Sequence, residues 1–444
     1  MNQIFTRLCY LSLAVGLPVF GQYGGFGGPS ILSGGASPVG RTGSNPVSFN
    51  FFAGASGIYS TNLNRFTGGG NAASLALRDT FGMSGLVGLQ GYKSTARSST
   101  SVDLGVNYYR TRARDVSQGL SESLSVTHSR QVSRRVTWYI GAQGQSTNRA
   151  MTFANSRYSP EPLAELTPQQ DEIFDTRTYR ANVGTGITFQ KSGRLSFAAQ
   201  AGAFGNERRS KLLADSRGIM GSGSVQYSLS RRQYVGASFT YGTFYFPGAY
   251  GETSYYTPQG FYGVALSKAW NFTVYGGLYN ARTDRLTRVQ LDPFIAQLTG
   301  QTSMMEIYKG VNQGFSGGAG LYGEYRRWGM SVSAQRGVMP GNGVYLTSEM
   351  TSVTGTASHT MGRSASWSLF ARAAETKALT QTIGKARLYS GGTTFTYRLT
   401  DYLNFNSNLT IYKTQAAGNN IRFGRFSASA GIYFSPGELP AHIF

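Results

Sequence analysis

Arg425-Phe-Ser-Ala-Ser-Ala-Gly-Ile-Tyr-Phe434 alternates without a break. Phe426, Ala428, Ala430, Ile432 and Phe434 fall on one face of an extended chain, and Ser427, Ser429, Gly431 and Tyr433 on the other, because successive side chains of a strand leave opposite faces. One face is apolar; the other is small and polar. In a water-soluble sandwich the apolar face turns inward. In a membrane-spanning barrel it turns outward to lipid and the polar face lines the interior. The rest of the chain decides between the two.

The same unit recurs from Pro46 onward: alternating strand, turn, alternating strand. Phe49, Phe51, Ala53 and Ala55 oppose Ser48, Asn50, Gly54 and Ser56. Val102, Leu104, Val106 and Tyr108 oppose Asp103, Gly105 and Asn107, and Leu403, Phe405, Leu409 and Ile411 oppose Asn404, Asn406, Asn408 and Thr410. One set of connections is short and basic, as in Val132-Ser-Arg-Arg135, Leu229-Ser-Arg-Arg232 and Leu266-Ser-Lys268. The alternate set is longer and variable, at 60–78, 147–176, 205–217, 246–259, 281–312, 337–345 and 375–386. Short turns at one end and long loops at the other are the signature of an up-and-down outer-membrane barrel with periplasmic short ends. The reading is all-β: a transmembrane antiparallel barrel of eighteen strands over residues 46–435, or sixteen if the segments 259–267 and 345–360 are not strands. Phe426, Ile432 and Phe434 are then the lipid-facing side of the closing strand, which pairs with strand 1 because lipid does not tolerate an unpaired edge.

Composition agrees. The 444 residues include 59 Gly, 28 Tyr and 27 Phe, with 40% hydrophobic residues and a mean hydropathy of −0.24. No apolar run is long enough for a membrane-spanning helix, whereas alternating strands average their hydropathy away. Residues 1–21, with Arg7 before the apolar stretch Leu8–Leu17, read as a signal peptide. Cys9, the only cysteine, lies within it, so the mature chain has no disulfide and no thiolate metal site. Residues 22–45 are a Gly/Pro/Ser-rich leader expected to stay flexible in the periplasm. Pro436 and Gly437 interrupt the last strand, which makes 436–444 a periplasmic tail. Its terminal aromatic, Phe444, competes with Phe434 as the residue that barrel assembly machinery reads. The formal charge of +21, from 41 basic and 20 acidic residues, is scattered over turns and matches no nucleic-acid module. Membrane lipid headgroups and lipopolysaccharide phosphates are the expected anionic partners. Arg112, Arg114, Arg208, Arg209, Lys211, Arg285 and Arg288 are placed on the loop rim to meet them.

The hairpins joined by turns such as Tyr227-Ser-Leu-Ser-Arg-Arg232 and Tyr397-Arg-Leu-Thr-Asp401-Tyr402 resemble those of large porin-like outer-membrane β-barrel proteins of Gram-negative bacteria. Some members of that class accompany polysaccharide export genes. The resemblance covers residues 46–435 and implies a barrel in the cell outer membrane.

The expected lumen lining is Asp103, Asn107, Gln143, Arg180, Gln200, Arg372, Arg398, Asn404, Asn406 and Asn408. Hydroxyl, amide and Tyr side chains suit hydrated solutes or glycans, and the arginines favour anions. Eighteen strands enclose an aqueous interior unless a loop fills it. Loops 151–176 and 286–310 are the two candidates for the constriction, the second containing a short amphipathic stretch, Leu291–Leu298. Aromatics beside the short turns, Tyr227, Tyr234, Trp270, Tyr325, Trp328, Tyr402 and Tyr433, are expected to form a headgroup-level girdle. Only His128, His359 and His442 could serve as catalytic or metal-ligating imidazoles, and their spacing suggests no convergence. No enzyme activity and no cofactor are expected. The function expected is passive passage of small hydrated solutes; the alternative is a non-conducting structural or adhesive barrel acting through its loops.

Overall fold

The computed structural model describes residues 47–61, 79–112, 116–148, 177–210, 213–249, 251–290, 303–341, 343, 346–362, 364–379, 384–416, 421–435 and 438–441. Eighteen strands follow one another: β1 (Val47–Ser60), β2 (Thr80–Ser94), β3 (Ser98–Arg112), β4 (Val116–Ser133), β5 (Val136–Asn148), β6 (Arg177–Gln190), β7 (Leu195–Arg208), β8 (Ser216–Ser228) and β9 (Gln233–Phe246). Then come β10 (Gly251–Ala265), β11 (Trp270–Gln290), β12 (Ser303–Tyr325), β13 (Trp328–Pro340), β14 (Thr347–Met361), β15 (Ala365–Ala378), β16 (Ala386–Arg398), β17 (Leu403–Ala416) and β18 (Ile421–Phe434). Each pairs antiparallel with its neighbours in sequence, and β18 closes on β1 from Ala53↔Phe434 to Ser60↔Ser427. The barrel has no free edge at this seam. Eighteen strands are observed, not sixteen.

The barrel is turned inside out relative to a soluble core. Met83 (70% exposed), Phe81, Leu278 and Ile411 stand on the outside with Val332, Phe239 and Ile432, while Asn107, Ser121, Thr240, Thr257 and Ser316 are buried within. A continuous apolar exterior of this size is not stable in water. It is solvated by hydrocarbon, and the closed ladder pairs the wall's N–H and C=O groups, which lipid could not satisfy.

Most of the short turns share one device. Ser133, Ser192, Ser230, Ser267 and Thr400 each accept, through the side-chain oxygen, a backbone N–H two or three residues on. Serine and threonine cap such turns by offering the backbone a local partner. Thr95 does the same between β2 and β3.

The abundance of Gly, Phe and Tyr also has a structural cause. Phe52 lies over Gly88, Tyr433 over Gly54, Tyr139 over Gly186, Tyr255 over Gly242 and Tyr279 over Gly314. In every case ring and glycine are direct cross-strand partners. A ring laid flat on a glycine covers the backbone that the missing side chain exposes, as in aromatic rescue. All five of these rings point into the barrel. Tyr433 and Tyr234, which lies over Gly263, therefore leave the expected girdle; Tyr227, Tyr325 and Trp328 remain exposed.

Three boundaries differ from the sequence reading. Strand β10 starts at Gly251 because Pro258 is accommodated within it, paired to Phe239 on β9 but skipped by the β11 ladder, which passes from Tyr256↔Asn280 to Gln259↔Gly277. Proline has no N–H to give that side. Strands β11 and β12 extend to Gln290 and from Ser303, so 286–290 and 303–310 are strand. The segment Leu291–Leu298 lies outside the described residues. At the chain end, β18 stops at Phe434, and a short strand, β19 (Glu438–Ala441), pairs with Val47–Asn50 of β1. Within the segment expected as a tail, Glu438–Ala441 thus resumes the seam with β1; residues 436 and 437 lie outside the described residues. Phe444, residues 1–46 and 149–176 lie outside the described residues.

The ring-on-glycine pairs yield a paired prediction. Gly88→Val forces a Cβ into the Phe52 ring and should lower unfolding stability in detergent micelles by about 1–3 kcal/mol. Gly85→Val, three residues away with open space around it, should be neutral. Equal urea midpoints for the two variants would contradict the role assigned to the rings.

Candidate functional site: the lumen and its in-turned hairpin

Strand β13 pairs with β12 from Tyr325↔Trp328 to Gly317↔Arg336 and then leaves it, while its pairing with β14 continues to Pro340↔Thr347. The β13–β14 end therefore peels from the wall and crosses the interior. Thr347 Oγ1 lies 2.7 Å from Thr253 Oγ1 on β10, which lies 3.0 Å from Thr283 Oγ1 on β11. Three strands separate β10 from β14 in the ladder, so this contact fixes which face is inside.

An apolar cluster receives the hairpin. Val338 (2% exposed) and Leu346 pack with Phe204, Met220, Phe244, Phe246, Tyr255, Tyr279 and Ala281 from the inner faces of β7–β11. Phe204 meets Phe244 edge-on at 6.0 Å, and Phe244 meets Tyr255 at 5.1 Å. Polar contacts pin the rest. Glu349 accepts the Tyr279 hydroxyl proton at 2.8 Å and pairs with Arg336 at 2.8 Å. Ala214 N–H donates to the Gly343 carbonyl at 2.9 Å. Gly343 sits at φ 89°, a left-handed conformation that favours glycine, and a side chain there would meet the Arg208 guanidinium. Arg208 in turn holds the β7–β8 loop, its backbone N–H donating to Asp215 at 2.7 Å and its guanidinium to the Ala214 carbonyl. Burying Val338 and Leu346 contributes about 1.5–3 kcal/mol each. The hairpin is held inward.

The register carries the inner face round the wall. From Thr253 it runs through Phe244, Gly218, Phe204, Asn182, Gln143 and Ser125 to Asp103 and Gln90. Asn107, Arg180 and Gln200 share that face by alternation, as do Asn404, Asn406 and Asn408 opposite Tyr433, Gly431 and Ser429. Arg372 stands inward between Thr354 and Ser390. Gln90 donates to Asp103 at 2.6 Å, and Tyr139 donates to Gln200 at 3.0 Å. Arg398 differs: it sits at the short-turn mouth, half exposed, paired with Asp401 at 2.8 Å.

Two inward arginines were not in the sequence-derived lining. Arg425 is buried and donates from Nε to Ser60 Oγ at 3.0 Å and Ser427 Oγ at 3.2 Å; its parity with Ser427 was the available signal. Arg208, expected on the rim, is also inward and buried, which removes it from any lipid contact. The apolar inner patch was missed as well. Phe244-Tyr245-Phe246 is large on both faces, and this break in polar alternation was the only sign of it. Of the two candidate constriction loops, 151–176 and the centre of 286–310 lie outside the described residues. Among the described residues the β13–β14 end, through Val338, Leu346 and Thr347, packs on the inner wall, whereas the flanks of 286–310 form a hairpin running past the ends of β10 and β13.

His128 and His359 face outward at the short-turn end. His128 bonds Thr100 at 2.8 Å and lies 5.9 Å from Trp138, and His359 stacks on Trp328 at 4.2 Å. No cluster of three or more His, Cys, Asp or Glu occurs among the described residues.

No protein-family model matches the chain, and no curated protein matches it. Solved structures similar to it include Pseudomonas aeruginosa OccK2 (OpdF) in complex with glucuronate, at 10% identity, 88% of this chain, 98% of that chain and a TM-score of 0.41. A BenF-like porin from Pseudomonas fluorescens gives 9%, 88%, 100% and 0.42, and Acinetobacter baumannii OccAB4 gives 10%, 90%, 100% and 0.43. At such identities and scores the fold rests on this chain's own ladder.

Replacing Val338 and Leu346 together with Asp should free the hairpin. Protease added to the folded barrel should then cut within 339–347 at least tenfold faster than in the wild type. A doubly substituted chain as resistant as the wild type would remove the anchoring role of the apolar cluster.

Proposed function

We propose that the protein is an outer-membrane pore for passive passage of small hydrated solutes, with a mild preference for anionic or saccharide solutes. The observation that carries this reading is a polar inner wall narrowed from one side by the β13–β14 hairpin. Hydroxyl and amide groups replace part of a solute's hydration shell without binding it tightly. Arg180, Arg372 and Arg425 outnumber Asp103 along the same face, which raises the local concentration of anions. The hairpin sets the cross-section, a reading supported by the contact of Thr347 with Thr253 on β10. A part in polysaccharide export rests on the sequence resemblance alone and is tested by the identity of the neighbouring genes.

In planar bilayers under a potassium chloride gradient the purified protein should conduct, with a reversal potential of anion-selective sign. Absence of conductance, or clear cation selectivity, would falsify this function. Shortening Pro340–Thr347 to a two-residue turn should raise single-channel conductance several-fold, and deleting 288–308 should leave it unchanged.

A further inference from the structure

We propose that the outward face of β15–β17, at the loop end of the barrel, binds the phosphate-bearing headgroup of an outer-leaflet glycolipid, lipopolysaccharide. The inference rests on the outer-membrane orientation but not on conduction. Register places Glu375 opposite Arg387 and Tyr389 opposite Lys413, so all four share the outer face. Lys385 precedes β16 directly, and Lys377 lies two residues beyond Glu375 on the same side. Four cations therefore gather around Glu375 and, opposite Lys377, Glu349, which Arg336 already engages at 2.8 Å. Glu375 is engaged by Lys385 and Arg387, each at 2.8 Å. Lys377 and Lys413 are exposed and form no ion pair among the described residues.

Elsewhere on the outer wall the balance is different. Arg217 is matched to Glu207 at 3.1 Å, and Arg177 to Glu122 at 4.0 Å, one cation to one carboxylate. Immediately below the β15–β17 cations the wall turns apolar through Tyr389, Leu409, Ile411 and Leu369, all exposed. Cations above an exposed aliphatic belt mark the level where headgroup gives way to acyl chain. Three strands about 4.8 Å apart make a patch roughly 10 Å across, wide enough for a phosphorylated disaccharide. Phosphate oxygens accept charge-assisted hydrogen bonds from Arg and Lys, and the acyl chains of the same molecule would lie on Ile411 and Leu409. A soluble anion would use only the upper half of this surface; a glycolipid uses both.

The test compares wild type with a Lys385→Glu/Arg387→Glu/Lys413→Glu variant, both purified in a non-ionic detergent and incubated with lipopolysaccharide. Wild type should retain the lipid through gel filtration, and the variant should retain at least tenfold less. An Arg217→Glu control should behave as wild type. Retention by the triple variant at the wild-type level overturns the site. So does equal wild-type retention of dephosphorylated lipopolysaccharide, which needs no variant to fold. Equal binding of phosphatidylglycerol would show a general anionic-lipid surface and likewise overturn the glycolipid assignment. Planar-bilayer conductance of the variant should match wild type, so that loss of conduction and loss of lipid are read separately.

Discussion

A strand in hydrocarbon has no water to satisfy its backbone, so the whole molecule depends on the hydrogen-bonded seam between β1 and β18. Eight register pairs, from Ala53↔Phe434 to Ser60↔Ser427, turn an open sheet into a ring. Beyond them β19 prolongs the seam along the first residues of β1. The closure therefore has two stretches, one on each side of residues 435–437.

Closure also explains the interior. Once the wall is complete, inward side chains must either face water or pack on something. On most of the circumference they are short and polar, and inward rings lie flat on cross-strand glycines instead of reaching into the lumen. On β7–β11 they are large and apolar, and the β13–β14 hairpin is what they pack on. Arg336 marks the point where β13 leaves the wall, and Glu349 is held between Arg336 and Tyr279 at the same place. One hairpin thus gives the barrel a local core and narrows its lumen.

The outer surface is divided by the same logic. Aliphatic and aromatic side chains occupy the belt, and histidine and tryptophan stack at the short-turn end. Basic residues face outward where the strands emerge at the loop end. The β11–β12 pair passes beyond its neighbours, with Asp284 opposite Lys309 and with Met305, Ile307 and Val311 exposed along it.

Period-two alternation and segregated loop lengths were enough to read an antiparallel barrel of eighteen strands, with sixteen as the alternative, and the direction of most faces. These are local properties: parity along Leu403–Ala416 puts Asn404, Asn406 and Asn408 on one side whatever the rest of the chain does. Alternation could not foresee that the strand holding Arg336 leaves its neighbour, that Arg208 turns inward to hold Ala214, or that Thr347 meets Thr253. The last of these joins residues 94 positions apart. The energies of these contacts come from burying surfaces that only the closed barrel brings together. Alternation along most strands is enough to tell the lipid side from the inner side, because it is local; what the inside of the barrel packs against depends on surfaces that meet only when the ring closes.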